Sequence, residues 1–252
     1  MSRYFLRLAY KGTAYQGWQV QPHTTATVQH FLNEKLSMLL REPIEVTGCG
    51  RTDTGVHARE FFAHFDFDGT IPENDERFVY HLNAVLPKDI AVQQLYRMPE
   101  NAHARFDAVA RSYEYHIVRR KDAFNDHLAW ENRDLLDEDR MNAAAKILLQ
   151  YEDFGAFCKA GSDVKTTLCR ITKAKWFSAS DYLVFEITAN RFLRNMVRAI
   201  VGTLVDAGRG KIEEEEMHRI IQSGSRSEAG QSVPAHGLYL TKVDYPEEYN
   251  LS

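Results

Sequence analysis

The sequence predicts an α+β fold of two similar halves, and three observations lead to it. The chain is 252 residues long, enough for one large domain or two ordinary ones with real cores. Short aromatic and branched runs alternate with segments of helical periodicity, though not in the strict order of a Rossmann chain. The plan of the first half then returns loosely in the second, with no Pro-, Gly- or Ser-rich linker separating them.

Tyr4 to Tyr10, closed by Lys11-Gly12, reads as a first strand. Val28, Phe31, Leu32, Leu36, Leu39 and Leu40 recur at helical spacing behind the capping candidates Thr25 and Thr27, and Pro43 stops that helix. Ile44 to Cys49 reads as a second strand, followed by a glycine-flanked loop and a third strand at Phe61 to Phe65. Phe78, Leu82 and Val85 mark a helix and Ile90 to Leu95 a strand, so the first half is β-α-β-β-α-β. In the second half, Tyr113, Tyr115 and Ile117 alternate with Ser112, Glu114 and His116 as a half-buried strand would. A helix from about Glu138 to Gln150 is capped by Asp137, and strands lie near Leu168–Phe177 and Leu183–Ala189. A long helix spans Phe192 to Asp206 and is ended by Gly208. An acidic helix around Glu213–Gln222 and a strand at Leu238–Val243 complete the chain. The boundary falls near Asp107, giving halves of 1–107 and 108–252, and two halves facing each other make a natural cleft for a site.

At 44% hydrophobic and 26% charged, the composition is that of a soluble globular protein. A net charge of −4 gives no global hint of a nucleic-acid partner. Resolved along the chain, the charge separates into opposing fields. Residues 190–211 carry five basic side chains against Asp206, a net of +4, and residues 103–121 carry a net of +3. Residues 122–139 hold seven acids against Arg133, a net of −6. The pattern reads as a basic cleft and an acidic exterior. Three widely spaced cysteines, Cys49, Cys158 and Cys169, argue against a disulfide framework and for a reducing cytoplasm. The N-terminus has no signal-peptide pattern and no run of eighteen apolar residues occurs, so no membrane span is expected.

The densest cluster of unusual residues is Gly48-Cys49-Gly50-Arg51-Thr52-Asp53-Thr54-Gly55-Val56-His57-Ala58. Its glycines permit backbone conformations closed to other residues, and it sets the Asp53 carboxylate beside the Arg51 cation and the His57 imidazole. An ordinary turn with an Asx-type bond is one reading. The triplet Asp53-Thr54-Gly55 also suggests an aspartic protease, but that chemistry needs a second carboxylate and no second triplet occurs. There is no HExxH motif or Cys/His pair at ligand spacing, so no metal is expected. Asp206 to Lys211 glances at a phosphate loop but fails, because Val205 and Ile212 stand where one needs Gly and Ser or Thr. On a helix, Arg191, Arg194 and Arg198 would form one stripe, with Phe192, Met196 and Ile200 on the other side.

Four ordered blocks carry a resemblance. Gly50 to Ala58, Ala104 to Tyr115, Asn190 to Gly202 and Pro234 to Leu240, with the opening Tyr10 to Gln19, resemble the tRNA pseudouridine synthase A family across essentially the whole chain. The resemblance implies the pseudouridine synthase fold, with two ferredoxin-like halves and mainly antiparallel sheets flanking a central active-site cleft. It also implies a cofactor-free isomerase acting on uridines 38, 39 and 40 in the anticodon stem-loop of tRNA, and a homodimer. Asp53 becomes the essential catalytic carboxylate and candidate nucleophile, whether it attacks C1′, attacks the base or removes a ribose proton. Arg198 becomes its partner cation, Tyr113 the ring that stacks on the target base, and Leu238 the apolar wall beneath it. Arg51 would hold the backbone or fill the space left by the flipped nucleotide, while Arg191 and Arg194 would serve phosphates or structure, with His57 beside them in the substrate-binding set. The alternatives are a synthase of the same fold with another RNA target and an RNA-binding module without activity.

Overall fold

Strand β1 (Ser2–Tyr10) is the centre of the first structural unit, and its sequence explains why. Tyr4, Phe5 and Leu6 are consecutive and all fully buried, so both faces of the strand are covered. β1 pairs antiparallel with β3 (His57–Phe67) on one side and β4 (Ile90–Met98) on the other. Helices α1 (Val28–Leu40) and α2 (Glu76–Val85) belong to this unit. The rings of Tyr245 and Tyr249, beyond the last strand, pack edge-on to Phe5 at 5.8 and 6.3 Å, and Tyr245 lies 5.2 Å from Phe62. Asn83 of α2 bonds both the N–H and the carbonyl of Val92 at 2.7 Å, pinning helix to strand.

The computed structural model describes residues 1–72, 75–123, 126–162 and 164–251. It divides into a unit of Met1–Val109 with Leu240–Ser252 and a unit of Ala110–Tyr239. The second unit holds β5 (Ala110–Val118), β8 (Tyr182–Ala189) and β7 (Ile171–Ala179), antiparallel in that order, with the two-residue β6 (Trp130–Glu131) parallel to β5. Helices α3 (Glu138–Ile147), α4 (Met196–Gly208) and α5 (Glu214–Ser223) pack with them. The last strand, β9 (Leu238–Asp244), crosses the division of the chain. The fold is thus α+β, and its strands pair largely antiparallel.

The caps behave as their residue types dictate. Thr27 accepts from the N–H of His30, and Asp75 and Asp137 cap α2 and α3. Acids fill the first turn of α5, where they suit the helix dipole, and Gly224 closes it at φ 62°.

Five sequence expectations need correction. The second strand is only β2 (Thr47–Gly48), not Ile44 to Cys49. The backbone of residues 44–46 is satisfied by α1 side chains instead: Ser37 receives Ile44 N–H, Asn33 receives Val46 N–H, and Gln29 donates to the Val46 carbonyl. Leu168 stands outside β7, exposed, in an isolated bridge to Asp153. The polar face of β5 is not solvated, because Ser112 is buried against the Thr188 hydroxyl and His116 lies under the Tyr182 and Tyr239 rings. The long helix begins at Met196, since Asn195 adopts a left-handed φ of 65° and sends its amide to Ser232. It also continues through Gly208, whose bare Cα lets Met141 pack against it; the positive φ falls on Gly210.

Charge is also less segregated than the sequence suggests. Arg209 bonds both Asp134 and Asp206, and Lys211 faces Asp206 at 3.6 Å, so part of the 190–211 excess is neutralised by the acidic stretch itself.

Candidate active site

The Asp53 turn leaves the sheet directly after β2 and is fastened on both flanks. Cys49 N–H donates to the Phe62 carbonyl at 2.7 Å, and the Thr52 hydroxyl shares a 2.8 Å hydrogen bond with Tyr10. Trp18 N–H donates to Thr52 O at 3.2 Å, and Gly55 N–H to Tyr15 O at 3.3 Å. Val56 N–H closes the turn on Asp53 O at 3.1 Å, with Gly55 at φ 81°. Arg51 is therefore exposed and Asp53 half-buried on a backbone with little freedom. These bonds fix the backbone from which the Asp53 carboxylate projects.

The floor of the turn is the segment between β1 and α1. A Cβ at Gly12 would lie 1.9 Å from Val56 O, and one at Gly17 2.5 Å from Thr52 O, so both positions need glycine for close approach. Gly12 N–H donates to Nδ1 of His57 at 2.9 Å, and His57 is only 2% exposed. That geometry makes His57 a brace beneath the turn. Burial, and then the hydrogen bond from its hydroxyl to Asp89, pushes the Tyr15 pKa up and holds it as a donor.

Tyr113, Arg191, Arg194, Arg198 and Leu238 stand in the second unit. Tyr115 is fully buried core, but Tyr113, two residues earlier on β5, is half-buried with its ring edge-on to Phe192 at 5.1 Å. Leu238 opens β9 and is buried. The arginine stripe does not form: Arg191 and Arg194 precede α4, and of the three only Arg198 is helical. Arg191 reaches the Thr166 carbonyl, and the Arg194 carbonyl receives Lys159 N–H.

Arg198 is oriented by a segment to which sequence reasoning gave no role. Its Nε donates to Val233 O at 2.7 Å, while Val233 N–H returns a bond to Arg198 O at 3.2 Å. The same segment accepts the Tyr115 hydroxyl at Pro234 O, 2.8 Å, and the Asn195 amide at Ser232. A Cβ on Gly202 would lie 1.8 Å from Gln231 O, so the glycine lets residues 231–234 press against α4. Gly202 inside an otherwise regular helical pattern was the available signal. Among the described residues, no group of three His, Cys, Asp or Glu side chains is arranged to hold a metal ion.

The half-buried Asp53 thus stands on a braced Arg-Thr-Asp turn within an α+β fold of largely antiparallel sheet. The tRNA pseudouridine synthase family model matches residues 8–107 and 144–246. The chain belongs to that family. Among its relatives, the tRNA pseudouridine synthase A of Porphyromonas gingivalis is 47% identical over 250 residues, covering 98% of this chain and 99% of the relative. That of Bacillus subtilis is 41% identical over 242 residues, covering 94% and 97%.

Proposed function

We propose that the protein isomerises uridine to pseudouridine in tRNA. The observation that carries this reading is family membership over most of the chain, with the Arg51-Thr52-Asp53 turn intact and braced at its centre. The reaction breaks the bond from C1′ to N1 of uracil, turns the base, and joins C1′ to C5. The C5 proton leaves and N1 gains one, so no electrons are exchanged and no cofactor is called for.

Asp53 is the catalytic carboxylate of this reading, and its fixed turn supplies the positioning the chemistry demands. Arg198 is the second catalytic residue, and its Nε bond to Val233 orients the guanidinium. Tyr113 offers a partly exposed ring for the flipped base, Leu238 the apolar surface beneath it, and Arg51 an exposed cation at the turn. Arg191 and Arg194 serve phosphates or structure, and His57 acts by holding the turn. The finer reading adds ferredoxin-like halves, a cytoplasmic homodimer, and uridines 38, 39 and 40 of the anticodon stem-loop as targets.

Tritium release from tRNA labelled at uridine C5 tests the activity. Release is expected from a tRNA carrying uridine at 38–40, and none from the same tRNA with cytidine there. Release from the second substrate would overturn the anticodon assignment, and none from either would overturn the activity.

A further inference from the structure

Phe106 is 73% exposed, although a phenylalanine ring is normally among the best-buried side chains. It is not a loose loop residue. His103 N–H donates to Asp107 at 2.5 Å, and Asp107 N–H returns to the His103 carbonyl at 3.1 Å. The N–H groups of Arg105 and Phe106 both point to His103 Nδ1, at 3.1 and 3.3 Å. The turn is tied down in turn by the Tyr249 hydroxyl on Asp107, the Tyr245 hydroxyl on the Ala104 carbonyl, Ala104 N–H on His64, and Arg3 on the Ala102 carbonyl. Such a network fixes the backbone from which the exposed side chains of Arg105 and Phe106 project. The His103 ring supports the Phe106 ring at 4.2 Å, and the Arg105 guanidinium lies 5.6 Å from its centroid.

We infer that Phe106 is a stacking platform for an unstacked nucleobase of the tRNA substrate, with Arg105 as its phosphate or cation–π partner. This rests on the tRNA reading above. A planar, largely exposed ring on a fixed backbone, beside a guanidinium, is what single-stranded bases stack on without sequence preference. The groups that touch Phe106 belong to its own turn, not to the Asp53 turn, so the platform binds and does not take part in bond making.

The test compares Phe106→Ala, Phe106→Leu and Phe106→Trp in tRNA binding and in tritium release. Phe106→Ala is expected to weaken binding and raise KM roughly 5- to 100-fold with kcat unchanged. Trp restores both, and Leu, apolar but not planar, does not. Melting temperature moves by under about 2 °C, because an exposed side chain is removed. Arg105→Gln is expected to lower the salt dependence of binding by about one phosphate contact. Unchanged binding in Phe106→Ala, or rescue by Leu equal to Trp, overturns the platform. Absence of turnover in the unaltered protein overturns the synthase reading instead, and the binding comparison still decides the platform.

Discussion

Gly12→Ala places one methyl group against the brace of the Asp53 turn. The new Cβ would lie 1.9 Å from Val56 O, where ordinary contact begins near 3.4 Å, so the backbones must separate by about 1.5 Å. Val56 is the residue whose N–H closes the turn on Asp53 O, and Gly12 N–H is the donor to His57. The shift therefore breaks one of these bonds or drags Asp53 with it. Overpacking costs roughly 1–3 kcal/mol, a fall of a few degrees in melting temperature for a chain of this size. Misplacing a reacting group by about 1 Å costs on the order of 10²-fold in rate. Single-turnover tritium release at saturating enzyme is the assay, with tRNA affinity measured in parallel. A rate reduced about 10²-fold with affinity nearly intact is expected. A rate within about twofold of the unaltered protein, in a variant that melts normally, would refute the claim that Gly12 sets the turn.

Two further outcomes follow from buried groups. Burial, then the charge of Arg3, pushes the pKa of His64 down to about 4, against about 6.5 in an unfolded chain. Above pH 6.5 it is neutral in both states; as the pH falls from there to about 4 the unfolded chain takes up a proton that the folded one refuses. Stability is lost in that window, by up to roughly 3 kcal/mol, and His64→Gln should flatten the dependence in urea unfolding between pH 7 and 4.5; an unchanged slope would refute it. Tyr115→Phe removes the donor to Pro234 O and leaves that carbonyl unpaired, at about 1 kcal/mol and a melting temperature lower by roughly 2–4 °C. Because residues 233–234 also anchor Arg198, kcat is expected to fall in Tyr115→Phe with tRNA affinity unchanged, and an unchanged kcat would separate the anchor from the chemistry.

The order of elements was legible because each carries a local signal. Val28 to Leu40 has a cap and a 3.6-residue period, and Tyr4 to Tyr10 is an aromatic run closed by Gly12. Where the structure departs from the local pattern, a more distant partner overrules it. Residues 44–46 look like a strand but give their backbone bonds to α1 side chains. Phe192 to Asn195 looks helical, yet Asn195 turns left-handed to reach Ser232, 37 residues on, and that removed the arginine stripe. The Asp53 turn was legible as a motif, but not the reason it holds its shape, because Gly12, Gly17, Tyr15 and Trp18 act through backbone contacts that no spacing rule encodes. Ser232 and Val233 carry no local signal of their own, and the role of Val233 as the Arg198 anchor exists only in three dimensions. The net charge was a poor guide in both directions, since ion pairs such as Arg209 with Asp134 join stretches the sequence keeps apart.

The most direct measurement is tritium release from C5-labelled uridine in tRNA by Asp53→Asn, with tRNA binding followed on the same preparation. Asn keeps the size of the side chain and the backbone of the turn but cannot supply a carboxylate. No release, with binding retained, is the predicted result; turnover at the rate of the unaltered protein would contradict the assignment of Asp53 as the catalytic residue.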